Sequence, residues 1–131
     1  MKVRTVGFYK EMPHGRETDA SIYDFIKGED PDKIDNICRY LKSGIEFIVT
    51  PGTTDDIIDQ KNGIAGIPSI YTDGIWFWPG DLAYYVKNYG LKLPDEFVST
   101  MEKSGWDVSV SPEELDCDDI EVDGIKLFEN K

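Results

Sequence analysis

The sequence predicts an α+β fold, with a mostly antiparallel sheet of four to six strands and helices packed on one face. Three observations predict it. Short runs rich in β-branched and aromatic residues recur between Gly and Pro breaks, and several segments carry apolar residues at helical spacing. The length of 131 residues, with 40% hydrophobic residues, suffices for one compact core.

The first strand is predicted over Lys2–Lys10, where successive side chains alternate between the two faces of a sheet. A short helix follows, capped by Thr18, with its apolar residues starting at Ile22 and its end at Gly28. This strand–helix–helix–strand beginning is compatible with one parallel strand pair.

The next helix has the clearest boundaries in the chain. Asp30 is a good N-cap and Pro31 suits the first helical position. Its apolar residues fall on one face at positions i, i+3, i+4 and i+7: Ile34, Ile37, Cys38 and Leu41. We expect Gly44 to end this helix in a left-handed conformation, and the strand Ile45–Thr50 to follow.

The middle of the chain predicts a short helical turn over Asp55–Gln60 and then a β-hairpin. The hairpin strands, Ile67–Thr72 and Ile75–Trp78, flank Asp73-Gly74, a favoured turn pair. Two helices follow, with apolar residues at helical spacing. One carries Leu82, Tyr85, Val86 and Tyr89 and ends at Gly90, and the other begins near Pro94 and stops at Gly105.

Composition divides the chain into a domain, 1–106, and an acidic C-terminal extension, 107–131. The net charge is −12, of which the domain carries −5 and the extension −7. Ser111–Glu114 predicts a short helix. Ile120–Val122 and Ile125–Phe128 flank Asp123-Gly124 and predict a second hairpin, or an edge strand added to the sheet.

The acidic charge argues against binding to nucleic acids or anionic membranes, which both favour Lys and Arg patches. It suits a basic protein partner. The N-terminus lacks an apolar leader segment and the chain lacks an 18-residue apolar run, so we expect a soluble, cytosolic protein. Cys38 and Cys117 are expected to be reduced thiols.

Possible catalytic groups are few. His14 is the single histidine, and Glu11 and Arg16 are its neighbours in the loop. If the protein is an enzyme, Glu11 orients His14 as an acid or base and Arg16 holds an anionic group. The alternative is a solvated loop, which is the commoner situation for a lone histidine. The sequence predicts no cofactor and no metal site, because one His and two distant Cys form no zinc pattern and the acidic run after Asp119 only partly matches a calcium loop.

The aromatic segment is the most distinctive part of the sequence. Strand alternation places Trp76 and Trp78 on one face of the sheet. A fully buried central strand is one explanation. Because a buried indole or phenol needs a polar partner, we expect at least one of Trp76, Trp78 and Tyr84 to lie at a surface. Together with Asp73 and Asp81 they form a candidate protein-binding site.

Three segments carry a resemblance to a family: Phe8–Arg16 with its EMPHGR loop, Thr72–Val86 with the pattern TDGxWxWPGDLAYYV, and Leu93–Phe97. They resemble segments of small uncharacterised bacterial proteins. In size, acidity and aromatic content those proteins are similar to the immunity proteins of bacterial toxin systems. The resemblance covers about residues 4–106 and supplies no active site.

The sequence therefore supports three functional hypotheses. The first is a non-enzymatic, acidic binding protein of the toxin-immunity or inhibitor type, which binds a basic protein. The second is a small enzyme or ligand-binding domain that uses the His14/Arg16 loop beside the Trp76–Asp81 turn. The third is a homodimer formed through an aromatic-rich edge strand.

Overall fold

The computed structural model describes residues 2–13, 15–114, 121–122 and 125–126. Within these ranges the chain forms three helices, α1 (Pro31–Lys42), α2 (Leu82–Tyr89) and α3 (Asp95–Lys103). The strands are β1 (Lys2–Thr5), β2 (Ile45–Ile48), β3 (Thr54–Asp55), β4 (Ile64–Gly66), β5 (Ile70–Thr72), β6 (Trp76–Pro79), β7 (Glu121–Val122) and β8 (Ile125–Lys126). The predicted α+β class is confirmed, with the helices packed against the sheet. In the described ranges, every helix is too short or too polar to cross a membrane.

The main sheet has the strand order β2-β5-β6-β1-β7-β8, and β3 pairs with β4 in a separate two-stranded sheet. The pairs β2/β5, β5/β6 and β7/β8 are antiparallel. Strand β1 lies parallel to both β6 and β7, with Arg4 opposite Trp76. The first strand of the sequence therefore lies inside the sheet, and both parallel pairs involve it.

An aromatic cluster fills the space between the sheet and the helices. Trp78 is 1% exposed, and its ring lies 6.0 Å from Tyr40 of α1 and 5.4 Å from Phe97 of α3. Trp76 lies 5.0 Å from Phe97. Alternation along β6 therefore directs both indoles toward α1 and α3, while Phe77 contacts Phe47 on the opposite face at 5.2 Å.

The predicted helix boundaries agree closely with the structure, except at Gly44. Asp30 caps α1 by accepting a hydrogen bond from the Asp32 amide at 3.0 Å. Gly90 ends α2 with a left-handed φ of 60°. By contrast, α1 ends at Lys42, its C-cap Ser43 has a right-handed conformation, and Gly44 has no positive φ. A Cβ at Gly44 would lie 2.5 Å from the Trp78 ring, so close packing is the reason for this glycine.

Two predictions near the N-terminus are wrong. The strand ends at Thr5 and not at Lys10, because the chain turns at Gly7, whose φ is 84°. The predicted helix after Thr18 is only a 3-10 turn, Ile22–Asp24, which is capped by Ser21. The Lys27 amide donates to the Tyr89 carbonyl of α2 at 2.7 Å, so the chain leaves this turn before a longer helix forms.

The predicted helical turn over Asp55–Gln60 is also wrong. Asp55 belongs to β3, and a 3-10 turn forms later, over Gln60–Asn62. The carboxylate of Asp56 accepts hydrogen bonds from the amides of Ile58 and Asp59. Because these amides are bound to a side chain, they do not form the hydrogen bonds of a helix.

The described part of the extension is attached to the domain. Arg39 of α1 contacts the Asp107 carboxylate at 3.3 Å, and the Val108 amide donates to the Ser43 hydroxyl at 2.9 Å. Pro112–Glu114 forms a 3-10 turn. Strands β7 and β8 pair as a hairpin, and β7 also extends the main sheet beside β1. The turn pair Asp123-Gly124 and Cys117 lie outside the described residues.

Candidate functional site

The predicted aromatic binding site lies in the core. Trp76 and Trp78 are 3% and 1% exposed, so neither indole is available as a surface contact, and of the three expected candidates only Tyr84 reaches the surface, half-buried. The Trp78 N–H donates to the Leu41 carbonyl at 3.1 Å, which satisfies its polar group internally. Among the described residues the Trp76 N–H has no hydrogen-bond partner, and the Arg4 guanidinium lies 4.5 Å from the ring of Trp76.

The two aspartates of that site have internal partners. Asp73 accepts hydrogen bonds from the amides of Ile75 and Trp76 at 2.8 and 2.7 Å, and from the Tyr40 hydroxyl at 2.5 Å. It therefore shapes the β5–β6 turn and connects it to α1. Asp81 is 1% exposed and accepts from the Thr54 hydroxyl at 2.9 Å.

Glu11 and Arg16 form hydrogen bonds within the segment that follows β1. Glu11 accepts hydrogen bonds from the Ser21 hydroxyl at 2.8 Å and the Ile22 amide at 2.7 Å. Arg16 pairs with Asp19 through its backbone amide and its guanidinium. His14 lies outside the described residues, so the catalytic role of this loop stays a prediction.

These contacts also set the charge state of Glu11. Burial alone would raise the pKa of its carboxyl group, but the hydrogen bonds from the Ile22 amide and the Ser21 hydroxyl outweigh burial. The pKa of Glu11 is therefore lowered, and the ionised form is the one that holds residues 21 and 22 in place.

Sequence reasoning missed a buried carboxylate on the loop between β3 and β4. Asp56 is fully buried and accepts five hydrogen bonds, from the amides of Ile58 and Asp59, the Asn62 side chain, and the hydroxyls of Tyr84 and Tyr89. We call these residues the Asp56 cluster. In the sequence Asp56 is indistinguishable from the exposed Asp55 and Asp59, so no local signal identifies it.

The electrostatics of the Asp56 cluster favour the ionised carboxylate. Burial would raise the pKa of Asp56, but the hydrogen bonds from Tyr89, the Asp59 amide, Tyr84 and Asn62 outweigh it and lower the pKa to about 2. The pKa of Tyr84 is raised to about 12, first by burial and then by its bond to Asp56. The cluster therefore holds a stable charge at neutral pH and connects the loop to α2.

A cavity lies at the carboxyl end of β1, and we call it the β1 cavity. Its volume is about 480 Å³, within the range of small-molecule sites. Buried lining residues include Val6, Tyr9 and Leu93, and more exposed ones include Phe8, Phe25 and Pro94. The lining is mostly apolar, and none of it comes from residues 73–81.

Three charged residues that line the β1 cavity, Asp19, Lys92 and Asp95, belong to ion pairs. Asp19 is paired with Arg16 at 3.2 Å, and Asp95 with Lys92 at 3.1 Å. Because each carboxylate has a cationic partner, these four groups carry no net charge.

A second set of contacts holds residues 92–95, which line one side of the β1 cavity. The Lys92 amide donates to the Phe25 carbonyl at 2.9 Å, and the Leu93 amide approaches the buried Glu29 carboxylate at 3.4 Å. The bonds of Glu11 to Ser21 and Ile22 hold the chain near residues 20–25, and these bonds hold residues 92–95. Both stretches contribute to the lining of the cavity.

The comparisons add no functional information. Comparisons with protein-family models, with curated proteins and with solved structures found no match. In the described ranges, no three His, Cys, Asp or Glu side chains are grouped so that they would hold a metal ion.

Proposed function

We propose that this protein is a non-enzymatic, acidic binding protein of the toxin-immunity or inhibitor type, whose partner is a basic protein. The observation that carries the proposal is the distribution of carboxylates between the inside and the surface of the fold. The domain uses much of its negative charge internally, whereas the extension 107–131 holds nine acidic residues against two basic ones.

Because several carboxylates are used within the fold, the exposed acidic side chains of the domain are nearly equal in number to its basic side chains. Residues 1–106 contain 17 acidic and 12 basic side chains. Six of the 17 are buried or half-buried and serve as hydrogen-bond acceptors or ion-pair partners within the fold: Glu11, Asp19, Glu29, Asp56, Asp73 and Asp81. The remaining 11 are exposed. The excess of acidic residues in the sequence therefore belongs to the extension.

The attachment of the extension to the sheet favours a defined acidic surface. Strand β7 pairs with β1, and Asp107 is paired with Arg39. An acidic segment held on a folded domain raises the rate of encounter with a basic partner and penalises wrongly oriented complexes.

The contacts of Glu11 and Arg16 support a binding role over an enzymatic one. Both side chains have structural partners within the loop that follows β1. An acid–base role for Glu11 beside His14 would have to compete with its bonds to Ser21 and Ile22.

The experiment is isothermal titration calorimetry of the full chain with the purified product of the neighbouring gene, at about 50 and 300 mM salt. We expect binding that weakens at least tenfold at the higher salt, because exposed charges are screened within about 10 Å at 0.1 M. The proposal is contradicted if the chain does not bind the product of the neighbouring gene, or if its binding to that product is insensitive to salt.

A matched pair of variants locates the surface. The first neutralises the extension with Asp116→Asn, Asp118→Asn and Asp119→Asn. The second neutralises three exposed domain residues with Glu17→Gln, Asp24→Asn and Asp35→Asn. Both raise the net charge by three. We expect the first to slow association several-fold and the second to change it less than twofold, and equal effects would refute a role specific to the extension.

A further inference from the structure

We propose that Asn62-Gly63 is a deamidation site, which the Asp56 cluster holds closed and whose reaction irreversibly weakens the attachment of the loop between β3 and β4 to α2. The inference stands on the identity of this residue pair and on the hydrogen bonds of the Asn62 side chain. It is independent of the proposed acidic surface.

The chemistry of the pair favours deamidation. Asn62-Gly63 is the single Asn-Gly pair in the sequence. Both residues are exposed, and a Cβ built at Gly63 would meet no atom within 4 Å. Because glycine carries no side chain, its backbone nitrogen can approach the side-chain carbonyl carbon of the preceding asparagine without hindrance. The surface position also gives water access to the intermediate.

The reaction needs only the two residues and water. The backbone nitrogen of Gly63 loses its proton and attacks the side-chain carbonyl carbon of Asn62. A C–N bond forms, and the bond from that carbon to Nδ2 breaks, which releases ammonia and leaves a five-membered cyclic imide. Water then opens the imide at either carbonyl and leaves aspartate or isoaspartate at position 62.

In the folded chain both reacting groups are bound. Nδ2 of Asn62 donates to the Asp56 carboxylate at 3.2 Å and to the Tyr89 hydroxyl at 3.0 Å. The Gly63 amide donates to the Gln60 carbonyl at 3.1 Å, at the end of the 3-10 turn. These bonds must break before the ring can close, so the folded chain reacts only when this turn opens locally.

The product cannot rebuild the Asp56 cluster. Asn62 supplies an NH₂ donor to the Asp56 carboxylate, whereas an ionised aspartate supplies only acceptor oxygens. Asp56 is buried and ionised at neutral pH, so a second carboxylate at position 62 would face a like charge. Because ammonia is lost, the loop does not regain its original contacts.

The test measures deamidation of the full chain in a mildly alkaline buffer, which favours removal of the amide proton. Mass spectrometry of the digested chain quantifies asparagine and its two products at each position. We expect the product at position 62 to form at least about tenfold more slowly in the folded chain than in urea, because the folded chain reacts only through local opening. Asn36 and Asn88 lie within α1 and α2 before bulky residues, and as internal controls they are expected to stay unmodified.

A matched pair of variants tests whether the Asp56 cluster holds the site closed. Tyr89→Phe removes one acceptor of Asn62 and one donor to Asp56. Tyr71→Phe is the control, because it removes a hydroxyl bonded to a carboxylate outside the cluster. We expect folded Tyr89→Phe to deamidate several-fold faster than the wild-type chain, and Tyr71→Phe to keep the wild-type rate. In urea all three chains are expected to react equally fast.

The variant Asn62→Asp reproduces one of the two products directly. We expect it to unfold at a lower urea concentration than the wild-type chain, and the amide signals of Ile58 and Asp59 to shift in ¹⁵N NMR spectra. Asn88→Asp adds the same charge at an exposed position of α2 and is expected to lower the unfolding midpoint less.

Three results would overturn the inference. The first is a reaction at position 62 that is as fast in the folded chain as in urea, or that is absent from the folded chain over an incubation many times longer than the half-life in urea. The second is a Tyr89→Phe chain that reacts no faster than Tyr71→Phe. The third is an Asn62→Asp chain that is as stable as Asn88→Asp, because it would show that the product leaves the cluster intact.

Discussion

Replacement of Asp56 by asparagine tests whether the Asp56 cluster stabilises the fold through the charge of one buried carboxylate. The substitution keeps the shape of the side chain but exchanges an acceptor oxygen for an NH₂ group. That group would then face donors that bind Asp56 now, the Asn62 amide and the hydroxyls of Tyr84 and Tyr89. The loop between β3 and β4 would lose its bonds to Tyr84 and Tyr89 of α2.

The magnitude follows from the lowered pKa. The pKa of Asp56 falls from an ordinary 3.8 to about 2 in the folded protein. At 1.36 kcal/mol per pKa unit, the ionised carboxylate contributes about 2 kcal/mol to the free energy of unfolding at pH 7. Because the folded-state pKa is the lower one, this contribution is complete above the unfolded-state pKa and is lost as the pH falls through about 2.

The assay is urea unfolding followed by tryptophan fluorescence, for the wild-type chain and Asp56→Asn, at pH 7 and pH 2.5. We expect the variant to be about 2 kcal/mol less stable at pH 7, and the difference to shrink by more than half at pH 2.5. Asp55→Asn, an exposed neighbour, is the control and is expected to change stability by less than about 0.5 kcal/mol.

Two results would refute this reasoning. A difference below about 0.5 kcal/mol at pH 7 would mean that solvent replaces the hydrogen bonds of Asp56 at little cost. A difference that stays the same at pH 2.5 would mean that the variant is destabilised by packing and not by the lost charge.

Three further predictions concern the core and the loop after β1. Gly44→Ala is expected to lower the free energy of unfolding by about 1–3 kcal/mol in urea titrations, because its Cβ would lie 2.5 Å from the Trp78 ring, and unchanged stability would contradict that contact. Tyr40→Phe leaves the buried Asp73 without its hydroxyl donor and is expected to cost about 1.5–3 kcal/mol in the same assay, unless water reaches the carboxylate. Glu11→Gln is expected to speed hydrogen exchange of the Ile22 amide several-fold at neutral pH, and an unchanged exchange rate would show that the bond contributes little.

Much of the fold could be predicted where local signals agree with one another. The cap at Asp30, the proline at the first position and the apolar face together predicted α1, and Gly90 marked the end of α2. The predictions failed where a side chain binds the backbone at close range. Asp56 directs the amides of Ile58 and Asp59 away from a helix, and no periodicity reports such a bond.

The candidate site was less predictable than the fold. Trp76 and Trp78 are conspicuous in the sequence, but α1 and α3 cover both, and one indole N–H finds a carbonyl partner in Leu41. Tyr9 is unremarkable in the sequence, yet it is buried and lines the β1 cavity together with residues 92–95. The positions of these partners are set by contacts between segments far apart in the chain.

The sequence by itself determined the α+β class, the three main helices and the concentration of acidic charge in residues 107–131, because periodicity, capping and charge are local properties. Only the tertiary structure decided which carboxylates are internal. Asp55 and Asp56 are adjacent and chemically identical, yet one is exposed and the other is fully buried beneath Tyr84 and Tyr89. The physical reason is that a buried charge requires several donors at once, and here the packing of the loop against α2 brings two of those donors together with it.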